Sequence, residues 1–302
     1  MSRYLDPKAD VCFKKIFGEH PHILISFLNA VLPLAPDQAI VELTYLPSEQ
    51  VPAIPEFKRT IADAKCKDAQ GRVFIVEMQM NWTDSFKQRL LFGTSQAFVK
   101  QIDAGTDYKF LQPVYGLGLI AEIYDKTTSE WYHHYQLVKK GSKDADVIEH
   151  LQLLFIELPK FPVHSQHEKK LRLLWLRFLR EIDEKTRTVS EELLEIPEIA
   201  QAVALSEQSA YTPGELEVYD SYWDQVRREK TIVIDSYTKG RIEGRAEGEA
   251  IGEAKLNTER YEIAKNLLKQ GIDIKIIINS TGLTREAIQT IENELKSAGF
   301  TN

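Results

Sequence analysis

The stretch that most restricts the fold lies between residues 60 and 80. Two short β-prone runs, 60–67 and 72–80, flank Asp68-Ala69-Gln70-Gly71, and that pattern predicts a β-hairpin. With Ala69, Gln70 and Gly71 as a three-residue loop and Gly71 in the left-handed conformation, Asp68 opposes Arg72. The register then runs Lys67 to Val73, Lys65 to Ile75 and Asp63 to Glu77. Opposed side chains on one face have Cβ atoms ~5 Å apart, and Gln79, two residues along, projects from that same face. Asp63, Glu77 and Gln79 therefore converge, with thirteen residues between the two acids.

The flanking sequence supplies layers for this hairpin to pack into. Apolar positions from Val11 to Val31 recur at helical spacing, interrupted by Gly18 and Pro21, which predicts two short helices. Pro33, Pro36, Pro47 and Pro52, with Pro55 beyond, then impose an extended region of strands and turns. After the hairpin, Phe86, Leu90, Leu91, Phe98 and Ile102 suit an amphipathic helix, and residues 114–121 (VYGLGLIA) read as a buried central strand. Residues 131–138 and 151–158 read as further strands, and 169–180 (KKLRLLWLRFLR) as an apolar helix with basic edges. The expectation is an α/β domain over residues 1–185, followed by a helical connecting region over 186–235 that Pro197, Pro213 and Gly214 break into short pieces.

Residues 236–302 have another character. Gly240, Gly244, Gly248 and Gly252 recur every fourth residue and form one helical stripe. Small residues let helices approach closely, as in membranes, but residues 239–262 carry five basic and six acidic side chains, which suits an aqueous helix. A helix over 261–269, a turn at Gly271, a helix over 274–279, a turn at Gly282 and a helix capped by Thr284 complete the chain in a helix-turn-helix layout. Its mixed charge favours protein contact, so these helices are expected to join two copies in a dimer, with DNA contact as the other reading.

Composition sets the class. In 302 residues, 43% are hydrophobic and 27% charged, and 38 Lys and Arg stand against 45 Asp and Glu. The chain is a globular protein with formal net charge −7, so contact with nucleic acid requires a local basic groove. Cys12 and Cys66 are far apart and lack metal-site spacing, which argues against a disulfide framework and fits a reducing compartment. Acidic and basic residues interrupt the first thirty positions, and no run approaches the ~20 apolar residues of a membrane span. A cytoplasmic location is expected.

Two carboxylates on one face suit a hard divalent cation, with Mg²⁺ the first choice and Mn²⁺ an alternative. Ile61, Val73 and Ile75 share their parity, so the face should be covered, and two buried like charges are costly without a cation. Other features carry blander readings. His133 and His134 face opposite sides of a strand, His164 and His167 lack a third ligand, and Trp175 belongs in a core. Lys87, Arg89 and Lys100 either touch phosphates or form a solvated helix face.

At these residues the chain resembles the Rpn family, the recombination-promoting nucleases also described as transposases, within the PD-(D/E)XK nuclease superfamily. The matching elements are DVCFKKIFG at residues 10–18, SFLNAVL at 26–32, Asp63, Glu77-Met78-Gln79-Met80, Gln88-Arg89, Pro113-Val114-Tyr115 and the glycine-repeat tail. The resemblance implies a restriction-endonuclease-like core of mixed sheet flanked by helices. It also implies Asp63 and Glu77 as metal ligands, and Gln79 where a lysine usually stands. Glutamine carries no charge, so another cation must help; Lys65, two residues from Asp63 on the same strand face, is the candidate, with a surface lysine as the plain reading. Asp10 either adds a carboxylate near the metal, as acids on the first helix of this superfamily do, or caps its own helix. The implied activity is a metal-dependent DNA endonuclease of low sequence specificity, linked to recombination or mobile elements. The alternative is a weakened nuclease kept as a DNA- or protein-binding regulator.

Overall fold

A computed structural model describes residues 3–47, 49–50, 60–61, 63–102, 105, 107–141, 146–162 and 170–297; His164 and His167 lie outside them. The chain divides into two compact units, residues 1–230 and 231–302.

The first unit begins with α1 (Asp10–Phe13), which runs into a π-helical turn at Lys14–Gly18, and α2 (Pro21–Val31). Strands β1 (Leu43–Tyr45), β2 (Glu49–Gln50), β3 (Thr60–Ile61), β4 (Ala64–Asp68) and β5 (Val73–Gln79) follow, then helix α3 (Phe86–Val99). Three more strands, β6 (Val114–Ile120), β7 (Tyr132–Val138) and β8 (Val147–Glu157), precede helices α4 (Lys170–Glu181), α5 (Glu191–Leu194) and α6 (Pro197–Leu205). Six strands form one sheet in the order β1-β4-β5-β6-β8-β7, and β2 pairs with β3. The β5–β6 and β6–β8 pairings are parallel and the others antiparallel. This is the mixed, helix-flanked sheet of the restriction-endonuclease-like architecture.

The hairpin between β4 and β5 has the register expected from its turn. Lys67 pairs with Val73, Cys66 with Phe74, Lys65 with Ile75 and Ala64 with Val76. Gly71 takes φ +88°, a conformation that costs glycine little because it has no Cβ. Asp68 locks the loop: its carboxylate accepts from the Arg72 backbone N–H at 2.9 Å and from Arg72 Nε at 2.6 Å. Both residues are buried, so the pair holds the register from inside.

The sheet separates two cores. On one side Phe74, Val76, Leu117, Leu119 and Ile156 pack with Phe17, Phe27 and Trp175 of the N-terminal helices and α4. Leu193, Ile199 and Val203 of α5 and α6 join this same core, so the stretch from residue 186 packs as part of the first unit. On the other side Val73, Ile75, Val114, Ile120 and Phe155 meet Phe86, Leu90 and Ala97 of α3. A Cβ on Gly118 would stand 2.9 Å from the Phe86 ring, so glycine in β6 lets α3 lie close against the sheet. Cys12 and Cys66 are free and buried.

Helix α7 (Pro213–Lys269) begins at Pro213, where the sequence predicts a break, and then runs unbroken for 57 residues, which corrects the expectation that residues up to 235 form only short pieces. Thr212 and Glu215 form a reciprocal cap: Thr212 N donates to Glu215 Oε2 at 2.7 Å, and Glu215 N donates to Thr212 Oγ1 at 3.3 Å. Proline at the first helical position lacks only an N–H that has no intrahelical partner there. The sequence Thr-Pro-Gly-Glu therefore starts a helix.

In the second unit, α8 (Ile274–Thr281) and α9 (Arg285–Ser297) pack with the end of α7 around Ala264, Ile277, Ile288 and Ile291. Asp273 caps α8 by accepting from Lys275 N at 2.8 Å, and Thr284 Oγ1 accepts from Ala287 N at 3.2 Å. Gly271 and Gly282 take left-handed φ values of +73° and +67° at the two turns. Among the described residues no helix is long and apolar enough to cross a membrane.

Candidate metal centre

Asp63 stands one residue before β4, and continuing the pairing one step places it opposite Glu77. Its Oδ2 accepts from the Met78 backbone N–H at 2.6 Å, which ties the carboxylate to the strand that carries its partner. Glu77 is 4% exposed. Its Oε2 lies 3.4 Å from Arg89 Nε, and its Oε1 is buried without a hydrogen-bond partner among the described residues.

Burial pushes the Asp63 carboxyl up to about 6; the Met78 N–H opposes that shift and the negative charge of Asp10 adds to it. Burial likewise pushes Glu77 up to about 7, with Arg89 opposing and Asp63 adding. Asp63 thus makes Glu77 harder to ionise, and the orphan Oε1 marks where a positive partner would be stabilised. Among the described residues no group of three or more His, Cys, Asp or Glu side chains is arranged for a metal. The donors present are two hard carboxylates, which fit a cation that takes its other ligands from water and a substrate phosphate, as Mg²⁺ does.

Gln79 projects beside Glu77 and is held at both ends of its amide. Arg89 Nη2 donates to its Oε1, and its Nε2 donates to the Asn81 carbonyl. Arg89 therefore bridges Glu77 and Gln79 and places a permanent positive charge beside the pair. The sequence offered this residue as part of the Gln88-Arg89 match and, in role, as a phosphate contact or a solvated side chain. The local signal is the short link from β5 to α3, which folds the first turn of that helix back beside the end of the strand.

Asp10 lies in the first turn of α1, and Ala9 is the residue before it, with no side-chain cap. The Asp10 carboxylate pairs instead with Lys14 at 2.8 Å, which corrects the capping reading. Its charge is felt at Asp63. Tyr222 of α7 also faces this region: burial, followed by the charges of Asp63 and Asp10, raises its phenol above the ordinary range. Asn81 Nδ2 donates to the Val226 carbonyl of the same helix at 3.0 Å.

Lys65 occupies a different place. It lines a groove with Lys67 and Lys100, and its ammonium pKa is lowered by burial and by Lys100. The cation in contact with Glu77 is Arg89. His133 and His134 bond separate partners, Glu157 and Gln152, at 2.9 and 2.8 Å, and Trp175 is fully buried.

Comparison with known proteins gives the family. The family model for PD-(D/E)XK nuclease family transposase matches residues 7–236, and that for the C-terminal HTH domain of the Rpn/YhgA-like nuclease family matches residues 257–293. Searches of curated proteins and of solved structures returned no match. With the family model covering most of its length and its tail matching the C-terminal HTH domain of the Rpn/YhgA-like nucleases, the chain belongs to the PD-(D/E)XK nuclease family of transposases.

Proposed function

We propose that this protein is a divalent-metal-dependent DNA endonuclease that hydrolyses phosphodiester bonds with low sequence specificity, in the service of recombination or mobile-element movement. The observation that carries the reading is the opposed pair of carboxylates, half-buried Asp63 and buried Glu77, with Glu77 Oε1 lacking a partner among the described residues. Asp63 and Glu77 would hold Mg²⁺ or Mn²⁺, and Asp10 adds negative charge on the first helix. A bound ion offsets charge at a phosphate and makes a nearby water a better nucleophile at neutral pH.

The chain's own groups arrange the rest. The Met78 N–H fixes one oxygen of Asp63, and Arg89 engages Oε2 of Glu77 and leaves Oε1 for a ligand. Gln79, locked between Arg89 and the Asn81 carbonyl, orients the site, and Arg89 supplies the charge that a neutral amide lacks. Low specificity follows if binding rests on phosphate contacts, which position a duplex without reading its bases.

The second unit would serve DNA contact and pairing of two copies. Ile232, Val233, Ile242 and Ile251 of α7 are exposed, and a second copy of the helix would cover such side chains. Light scattering of the full chain should give a dimer mass, and Ile242→Glu with Ile251→Glu should reduce it to a monomer.

Nicking of supercoiled plasmid tests the activity. Wild-type protein should nick with Mg²⁺ or Mn²⁺ and stop on chelation, while Asp63→Ala should fold and be inactive. Retained cleavage by a clean Asp63→Ala preparation overturns the site. A folded wild-type protein that binds DNA but never cleaves it favours the regulator reading, in which Gln79 marks a disabled centre.

A further inference from the structure

The face of β4 that begins at Asp63 continues into a basic groove. Lys65 and Lys67 alternate along the strand, opposite Ile75 and Val73, and so project from one face. Lys100, at the C-terminal end of α3, completes a groove of about 370 Å³. Among its described lining residues there is no acidic side chain, in a protein whose acids outnumber its bases. Its far wall is fixed by a reciprocal pair of bonds: Gln101 Nε2 donates to the Gln112 carbonyl, and Gln112 N donates to Gln101 Oε1, both at 2.8 Å. At the rim stands Phe110, 60% exposed.

We propose that this groove binds the backbone of an unpaired nucleic-acid strand, with Lys65, Lys67 and Lys100 on its phosphates and the Phe110 ring stacked under a base. The combination is the one single strands require: a cationic track for the sugar-phosphate chain and an aromatic platform that accepts any base. A duplex would use the lysines but keep its bases stacked away from Phe110. Two residues of strand, ~7 Å, separate Asp63 from Lys65, so a strand held here enters beside the carboxylate pair. The substrate class rests on the nuclease reading; the groove itself does not.

Fluorescence anisotropy of the full chain with a labelled single-stranded oligonucleotide and its duplex, without divalent ion, tests this. Lys67→Ala with Lys100→Ala should weaken single-strand binding about tenfold and reduce the dependence of log K on log salt by roughly 1.4, at about 0.7 per phosphate. Phe110→Ala should weaken single-strand binding about tenfold while leaving duplex binding unchanged. Unchanged affinity and salt slope in the lysine variant, equal losses on duplex and single strand for Phe110→Ala, or no single-strand binding by the wild type would each overturn the proposal. If these losses appear while plasmid nicking fails, the groove stands and the nuclease reading falls. If nicking persists in variants whose binding is unchanged, the groove falls alone.

Discussion

Two neighbouring regions of one strand face concentrate opposite charges. At the start of β4, Asp63 faces Glu77, and burial raises both carboxyl pKa values; further along, Lys65 and Lys67 meet Lys100 without an acid among the described lining. Where the fold needs charge for its own cohesion it pairs it inside: Asp68 and Arg72 are buried together at 2.6 Å, and Glu157 takes Lys160 at 2.7 Å and His133 at 2.9 Å. At the carboxylate pair and in the lysine groove, by contrast, charges of one sign stand side by side. Like charges kept together cost stability, and ligands of opposite sign relieve the cost. A cation at one region and a phosphate chain at the other would be the complementary partners, and the proposed metal-assisted nuclease would handle both.

The largest effect should separate the two regions. Asp63→Ala or Glu77→Gln should lower plasmid nicking by at least about a thousandfold, yet leave single-strand binding within about threefold. If binding collapsed as well, the regions would be one site and the comparison would fail. Next, Arg72→Ala removes the inner partner of Asp68 and should destabilise the protein by roughly 3–5 kcal/mol in denaturant melts. Because that pair sets the hairpin register, cleavage and binding should weaken together.

Arg89→Ala should reduce nicking about 10–100-fold, the usual cost of losing a group that orients a metal ligand. Arg89→Lys should restore little, since one ammonium cannot bridge Glu77 and Gln79 in a planar fork. The smallest effect is on stability. Both carboxyls hold their protons to higher pH in the folded chain than in the unfolded one, so metal-free protein should lose stability as pH rises from about 4 through about 7. Glu77→Gln should therefore stabilise the metal-free protein at pH 8 by about 1–2 kcal/mol, a few degrees in a thermal melt. Added Mg²⁺ should raise the melting temperature of the wild type more at pH 8 than at pH 5, and of Glu77→Gln at neither.

How much of this the sequence announces depends on the range of the interaction. Gly71 and its three-residue loop dictate the pairing of Lys65 with Ile75 because turn geometry is local, and the same holds for Gly271, Gly282 and Thr284 in the tail. The convergence of Asp63 with Glu77 follows from that register alone. Arg89 is harder to see: its contact with Glu77 depends on how closely α3 lies on the sheet, which Gly118 of β6 permits from far along the chain. Lys100 reaches the groove by that same packing. Pro213 does mark a break, but the long helix it opens becomes legible only when Thr212 and Glu215 are seen bonding each other, and the packing of Leu193 and Ile199 into the main core carries no local mark.

Anomalous diffraction from crystals soaked in Mn²⁺ tests the central claim most directly. It should show one strong peak within about 2.2 Å of carboxylate oxygens from both Asp63 and Glu77, absent in Glu77→Gln. No peak there, or Asp63 and Glu77 oxygens directed apart with the ion bound elsewhere, would contradict it.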